Sequence, residues 1–274
     1  MKVYISADIE GVSGVVLGKQ TGQKGHDYER MRKLMTGEVA AAAKGAIEAG
    51  AREIVVNDAH GGGTNLFHEQ LPEPVRLIQG ALRPLLMMEG IDETFDAAMF
   101  VGYHSMRGTA DGVLNHTISG RSIHGITVNG TPMGETGLNA ALAGSFGVPL
   151  ALVAGDEAVC KEAQSLIPEL VTVQTKRGIG SVAAENLHPA EACRRITEAA
   201  KEALDRRKKI APYVVSGKVE VEIDFVRTGM ADAAGFMPGA ERKSATTVAC
   251  SANDYMAAFK AAWVMIMLAG KYPS

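Results

Sequence analysis

The chain has little that could cross-link it. Only three cysteines, Cys160, Cys193 and Cys250, occur in 274 residues. Their number is odd, their spacing wide and none forms a close pair, which excludes a disulfide framework and a thiolate-built zinc site. They are expected as small buried hydrophobes in a reducing compartment. Excess charge of one sign is missing too: 28 Lys and Arg stand against 31 Asp and Glu, for a net charge of −3. Nothing in that balance draws the chain to nucleic acid or to an anionic membrane surface. The longest apolar run, 261–269 between Lys260 and Lys271, is far short of the ~20 residues that span a bilayer. The opening Met1-Lys2-Val3-Tyr4-Ile5 enters a strand pattern without the layout of a signal peptide. A cytoplasmic protein with no nucleic-acid or membrane partner is expected.

What is present is a globular composition, 46% hydrophobic and 22% charged, with apolar strand patterns alternating with helical ones. Strands are expected at 2–7, 53–57, 75–78, 98–101, 125–128, 149–154, 171–174 and 219–225, and helices at 27–49, 135–146, 157–166, 189–209 and 254–268. The Asn129-Gly130 pair after 125–128 is a hairpin-turn signal. This alternation predicts an α/β fold of three layers, a mostly parallel sheet flanked by helices. It is expected as one domain over 1–274, with a C-terminal subdomain from about residue 210 as the one division the sequence admits.

Residues able to bear chemistry cluster where the apolar strands end. The first strand runs out as Ser6-Ala7-Asp8-Ile9-Glu10-Gly11, and alternation in an extended chain sets Asp8 and Glu10 on one side. Two carboxylates so close repel unless a proton or a cation lies between them. The second leads into Asn57-Asp58-Ala59-His60 and then Gly61, Gly62 and Gly63. No Lys-Ser/Thr pair follows these glycines, so they are not a phosphate loop. The strand at 98–101 leads into Gly102-Tyr103-His104-Ser105. Ligands of open parallel sheets bind beyond the carboxyl ends of strands, which gathers Asp8, Glu10, His60 and His104 at one edge. Glu135 opens a helix, a position the helix dipole favours for any acid. His116, within Asn115-His116-Thr117, suits an acid/base group or oxyanion donor, or simply a hydrogen-bonded loop histidine.

Three carboxylates and two imidazoles without thiolate suit zinc, manganese or cobalt. Five ligands exceed one tetrahedral zinc with an open position, but they serve two ions if one carboxylate bridges. Two divalent ions about 3.5–4 Å apart can activate water and polarise a carbonyl together. Other features read plainly. Met87-Met88 and the 265–268 stripe are expected as core or subunit contact, Trp263 as packed within the last helix, and Arg206 to Lys209 as a solvated helix end. His26, His68, His124 and His188 read as surface or hinge residues.

Taken in order, the Asp8-Ile9-Glu10, Asp58-Ala59-His60-Gly61, Gly102-Tyr103-His104-Ser105, His116-Thr117 and Gly134-Glu135 motifs resemble those of the zinc-dependent D-aminopeptidase family. The similarity is sharp to about Gly147 and continues more loosely through Met230-Ala231-Asp232 and 238–242. The resemblance implies two zinc ions per subunit, one held by Asp8, Glu10 and His60 and the other by Asp8, His104 and Glu135, with Asp8 bridging. His116 then falls on the catalytic histidine outside the metal shell, and a homodecamer enclosing its active sites is implied. The expected reaction is hydrolysis of the N-terminal peptide bond of short, D-residue-containing peptides by hydroxide held between the zincs. The rival readings are a dinuclear-metal phosphoesterase, for which the sequence offers no phosphate cradle, and a non-catalytic peptide- or metal-binding module.

Overall fold

The apolar run at the N-terminus forms β1 (Lys2–Ala7), buried beyond its first residue. The structure, a computed structural model, describes residues 1–272. From β1 the chain passes through α1 (Tyr28–Glu48), β2 (Glu53–Asp58), β3 (Val75–Ile78) and β4 (Ala97–Tyr103) to a hairpin, β5 (Ile123–Val128) and β6 (Thr131–Pro132). It continues as α2 (Glu135–Ser145), β7 (Leu150–Asp156), α3 (Glu157–Leu166), β8 (Val171–Gly178), β9 (Ala184–Asn186) and α4 (Pro189–Arg206). The last part holds β10 (Val219–Phe225), α5 (Thr228–Ala234), β11 (Glu241–Arg242), β12 (Thr247–Ala252) and α6 (Tyr255–Ala269).

The main sheet has the order β3-β2-β1-β4-β7-β8-β9 and is parallel except for β9. The α/β fold with a mostly parallel, helix-flanked sheet is therefore as expected. From β1 the chain builds outward to β2 and β3, then returns to lay β4 on the other side of β1. That reversal opens a crevice beyond the carboxyl ends of β1 and β4, where open α/β sheets hold their ligands. Helices α1 and α4 pack on each other against the sheet, at Gly45 so closely that a Cβ there would overlap the Thr197 carbonyl. Helices α2 and α3 pack together against β7.

A second, antiparallel sheet, β11-β12-β10-β5-β6, was not expected. It joins residues 123–132 to the segment after residue 210, and one hydrophobic cluster runs through both sheets. Strand β10 shows the alternating burial its sequence predicts, whereas β11, β12 and α5 carry too little apolar periodicity to stand out. The Asn129-Gly130 turn is real: both residues have positive φ, 49° and 78°, as a tight two-residue hairpin requires. It turns the chain back toward Glu135. Of the expected 189–209 helix, residues 207–209 form a 3-10 turn.

Gly102, the penultimate residue of β4, has φ +74°, and a Cβ there would overlap the Asp8 carbonyl. At Gly147, φ +71°, the same atom would meet open space. Gly102→Ala is therefore expected to cost about 2–5 kcal/mol from backbone conformation and overlap together, and Gly147→Ala about 1–2 kcal/mol from backbone conformation alone. Urea denaturation of the two variants checks the difference, and only Gly102→Ala should also weaken metal binding.

Candidate metal centre

The crevice gathers all six residues singled out by sequence. Asp8 follows β1, His104 follows β4, His60 lies two residues beyond β2 and Glu135 is the first residue of α2. His116 arrives from the connection between β4 and β5. Asp8, Glu10, His104 and Glu135 are buried at 1–5% exposure, while the His60 and His116 side chains keep 16% and 23%. His60 Nδ1 lies 3.0 Å from both Asp8 Oδ1 and Glu10 Oε2. His104 Nε2 lies 3.5 Å from Asp8 Oδ2 and 3.4 Å from Glu135 Oε1. The two oxygens of Asp8 thus face two different donor groups. His116 Nε2 is 3.8 Å from Glu135 Oε1, and its ring stacks on His104 at 4.1 Å. Donor atoms of Asp8, Glu10 and His104, and of His104, His116 and Glu135, each fall within 4.8 Å of one another. His116, expected outside the shell, therefore sits within ligand range.

Each imidazole has one nitrogen committed to a backbone carbonyl. His60 Nε2 donates to Thr21 O at 2.7 Å, His104 Nδ1 to Ser105 O at 3.0 Å and His116 Nδ1 to Leu114 O at 2.9 Å. A carbonyl only accepts, so these nitrogens carry the protons, and in the neutral ring the lone pair of the other nitrogen faces the carboxylates. This backbone anchoring is the usual way a metal-ligating histidine is oriented. Glu10 Oε2 and His104 Nε2 are buried without a hydrogen-bond partner among the described residues. Lone pairs aimed at carboxylates cannot satisfy one another. A shared cation satisfies both, and the donor set fits divalent metal on that ground.

The electrostatics agree. Burial, and then the neighbouring Glu10, push the Asp8 carboxyl up to about 6. Burial also pushes against the charged forms of Glu10 and Glu135, yet the imidazoles of His60 and His104 outweigh it and hold both carboxyls below their ordinary range. Conversely, burial opposes charging His60 and His104, but Glu10 and Glu135 respectively raise both well above the usual histidine value. The cluster draws positive charge into itself, from protons or from metal.

The loops that carry these side chains are braced from behind. Asp58 accepts from the Asn65 and Leu66 backbone N–H groups, and Asn65 Nδ2 donates to His60 O at 2.7 Å. Lys176, which sequence reading passed over, is almost fully buried and donates to the carbonyls of Glu10, Val12 and Val15. Its strand runs to Gly178, four residues past the expected end. Burial lowers its ammonium to about 8, with Asp156 and Glu38 opposing that shift. Lys176→Met would remove the ammonium donor from three carbonyls of the Glu10 loop, of which only Val12 O keeps a second bond, from Val15 N–H. Chelator competition is expected to show metal affinity reduced about tenfold or more, whereas a change confined to thermal stability would contradict this role.

Two cavities meet at His116. One, of about 200 Å³, exposes Asp8, His60 and Glu135 beneath Leu86, Met87, Ile118 and Trp263. Trp263, expected to pack within its helix, instead faces this cavity. The other, of about 740 Å³, runs past Glu10 and Asn115.

The family model described as D-aminopeptidase matches residues 1–264. The D-aminopeptidase of Bacillus subtilis (strain 168) is 39% identical over 273 residues, covering 98% of each chain. A solved structure, described as the zinc-dependent D-aminopeptidase DppA from Bacillus subtilis, a self-compartmentalizing protease, superposes with a TM-score of 0.96 at 38% identity, covering 99% of this chain and 98% of the other. Fold, motif order and full-length similarity agree, and the chain belongs to the D-aminopeptidase family.

Proposed function

We propose that this chain is a metal-dependent aminopeptidase that removes the first residue of short, D-residue-containing peptides at a dinuclear zinc centre. One observation carries the reading: Asp8 turns one oxygen to His60 and the other to His104, so two ligand sets share a single carboxylate. Asp8, Glu10 and His60 would hold one zinc, and Asp8, His104 and Glu135 the other. Bound there, the pair would supply Lewis acidity toward the scissile carbonyl and activation of water near neutral pH.

The protein's own groups do the rest. His116, fixed by its Nδ1–H bond to Leu114, presents Nε2 at the mouth of the smaller cavity. There it can take up a proton and hand it to the departing amine nitrogen, and Glu135 at 3.8 Å stabilises the imidazolium that forms. Leu86, Met87, Ile118 and Trp263 make a small apolar enclosure for the first side chain and exclude water around the reacting carbonyl. The free amine belongs at the acidic end, beside Asp8 and Glu135.

A homodecamer with enclosed sites fits the self-compartmentalizing description of the DppA structure. Exposed Leu82, Ile179 and Phe236 supply apolar surface for subunit contact. Unpaired cysteines favour a cytoplasmic setting. No helix among the described residues is long and apolar enough to cross a membrane.

Metal analysis of the purified protein is expected to give two zinc ions per chain, with chelation abolishing hydrolysis of alanyl dipeptides and zinc restoring it. Asp8→Ala should lose both ions. His116→Ala should keep them while kcat falls about 10²–10⁴-fold. Full turnover without His116, or a single ion at saturation, would overturn this assignment, and cleavage of phosphate esters in place of peptides would overturn the reaction class. Light scattering should report ten copies of the chain.

A further inference from the structure

The larger cavity at His116 has a chemistry of its own. Its wall carries Arg107, Arg121 and His124, with Asn115 beside them, and Glu10 is the one acidic residue on it. Glu10 is turned toward His60, so the far wall is cationic in a chain whose net charge is −3. Arg107 is held in place by donating Nη1 hydrogen bonds to Gly120 O at 3.0 Å and Ile123 O at 2.8 Å. Those acceptors are neutral, and Arg107 and Arg121 take part in none of the ion pairs that the described residues form. A half-buried guanidinium oriented by carbonyls and left without a carboxylate is a donor awaiting an anion.

We infer that this cleft seats the C-terminal carboxylate of the substrate, so that the enzyme selects peptides with a free C-terminal acid over their amides. The inference rests on the aminopeptidase reading above and adds direction to it. His116 lies on both cavities, so a scissile bond at His116 has the amine end and first side chain in the small enclosure over the carboxylates. The remainder of the peptide extends into the cleft. A carboxylate one or two residues downstream meets Arg107 and Arg121, while the acidic cluster repels the reversed orientation. His124, read from sequence as an ordinary surface histidine, adds a donor to the same wall.

The test compares D-alanyl-D-alanine with its C-terminal amide on the zinc-loaded protein. The free acid is expected to have kcat/KM about tenfold or more above the amide, chiefly through KM, as loss of a charge-assisted hydrogen bond predicts. In Arg107→Met and Arg121→Met the acid-to-amide preference should collapse toward one, and Arg107→Lys should restore part of it. Arg121 is exposed, so its variant separates loss of charge from loss of fold. Equal rates on acid and amide, or variants that lose both alike, would overturn the carboxylate seat while leaving the aminopeptidase reading intact. Failure to cleave either peptide with zinc bound would overturn that reading and the seat with it.

Discussion

Three carboxylates, those of Asp8, Glu10 and Glu135, share one buried crevice, and the need to compensate their charge governs the rest of the site. An ion taken out of water costs several kcal/mol even after the protein relaxes, so three like charges persist only among well-placed positive partners. The structure provides these in layers. His60 and His104 face the carboxylates directly. The first turn of α2 directs its dipole at Glu135, and the Ile118 N–H donates to the same side chain. Lys176 approaches from behind through the carbonyls of the Glu10 loop. The charge of the metal completes a balance that the protein leaves open on the cavity side.

That balance depends on topology. Strand ends are the most rigid anchor points an α/β sheet offers, and β1 and β4 are neighbours in the middle of the main sheet. Asp8 and His104 leave those neighbouring strands, so their separation is set by the sheet rather than by loop conformation. Gly102 lets β4 close on the Asp8 backbone. His60 comes from a strand one place further out on a longer loop, and Asp58 and Asn65 fix it with hydrogen bonds instead of strand pairing. Glu135 is delivered by the other sheet, whose β5–β6 hairpin turns the chain at Asn129-Gly130.

The candidate ligands could be picked out in sequence because most of them follow an apolar run closely, so a strand-end rule places them without knowledge of packing. Asp8, Glu10, His60, His104 and Glu135 all have that property or open a helix. Lys176, Arg107 and Trp263 lack it. Lys176 lies beyond the apolar part of its strand, and only the stacking of the 8–15 loop over β8 buries it. Trp263 sits in a helix apolar on nearly every side, where periodicity does not say which face meets the cavity. The second sheet was hidden for a related reason. Its edge strands β6 and β11 are short, and β10 and β5 are separated by some ninety residues, so their pairing is a product of tertiary structure.

Burial within the site also separates roles that composition alone does not. The residues at 1–5% exposure, Asp8, Glu10, His104 and Glu135, are shielded from bulk water. His116 has the opposite character, with 23% of its side chain exposed where the two cavities meet. A residue that shuttles a proton must reach both the attacking water, which supplies that proton, and the departing amine, which receives it. A residue standing where the two cavities meet is placed for both. His60 is comparably exposed, but its free nitrogen is spent between Asp8 and Glu10. The proton-transfer role proposed for His116 thus rests on position as much as on residue type, even though its nitrogen lies within reach of the candidate metal ligands.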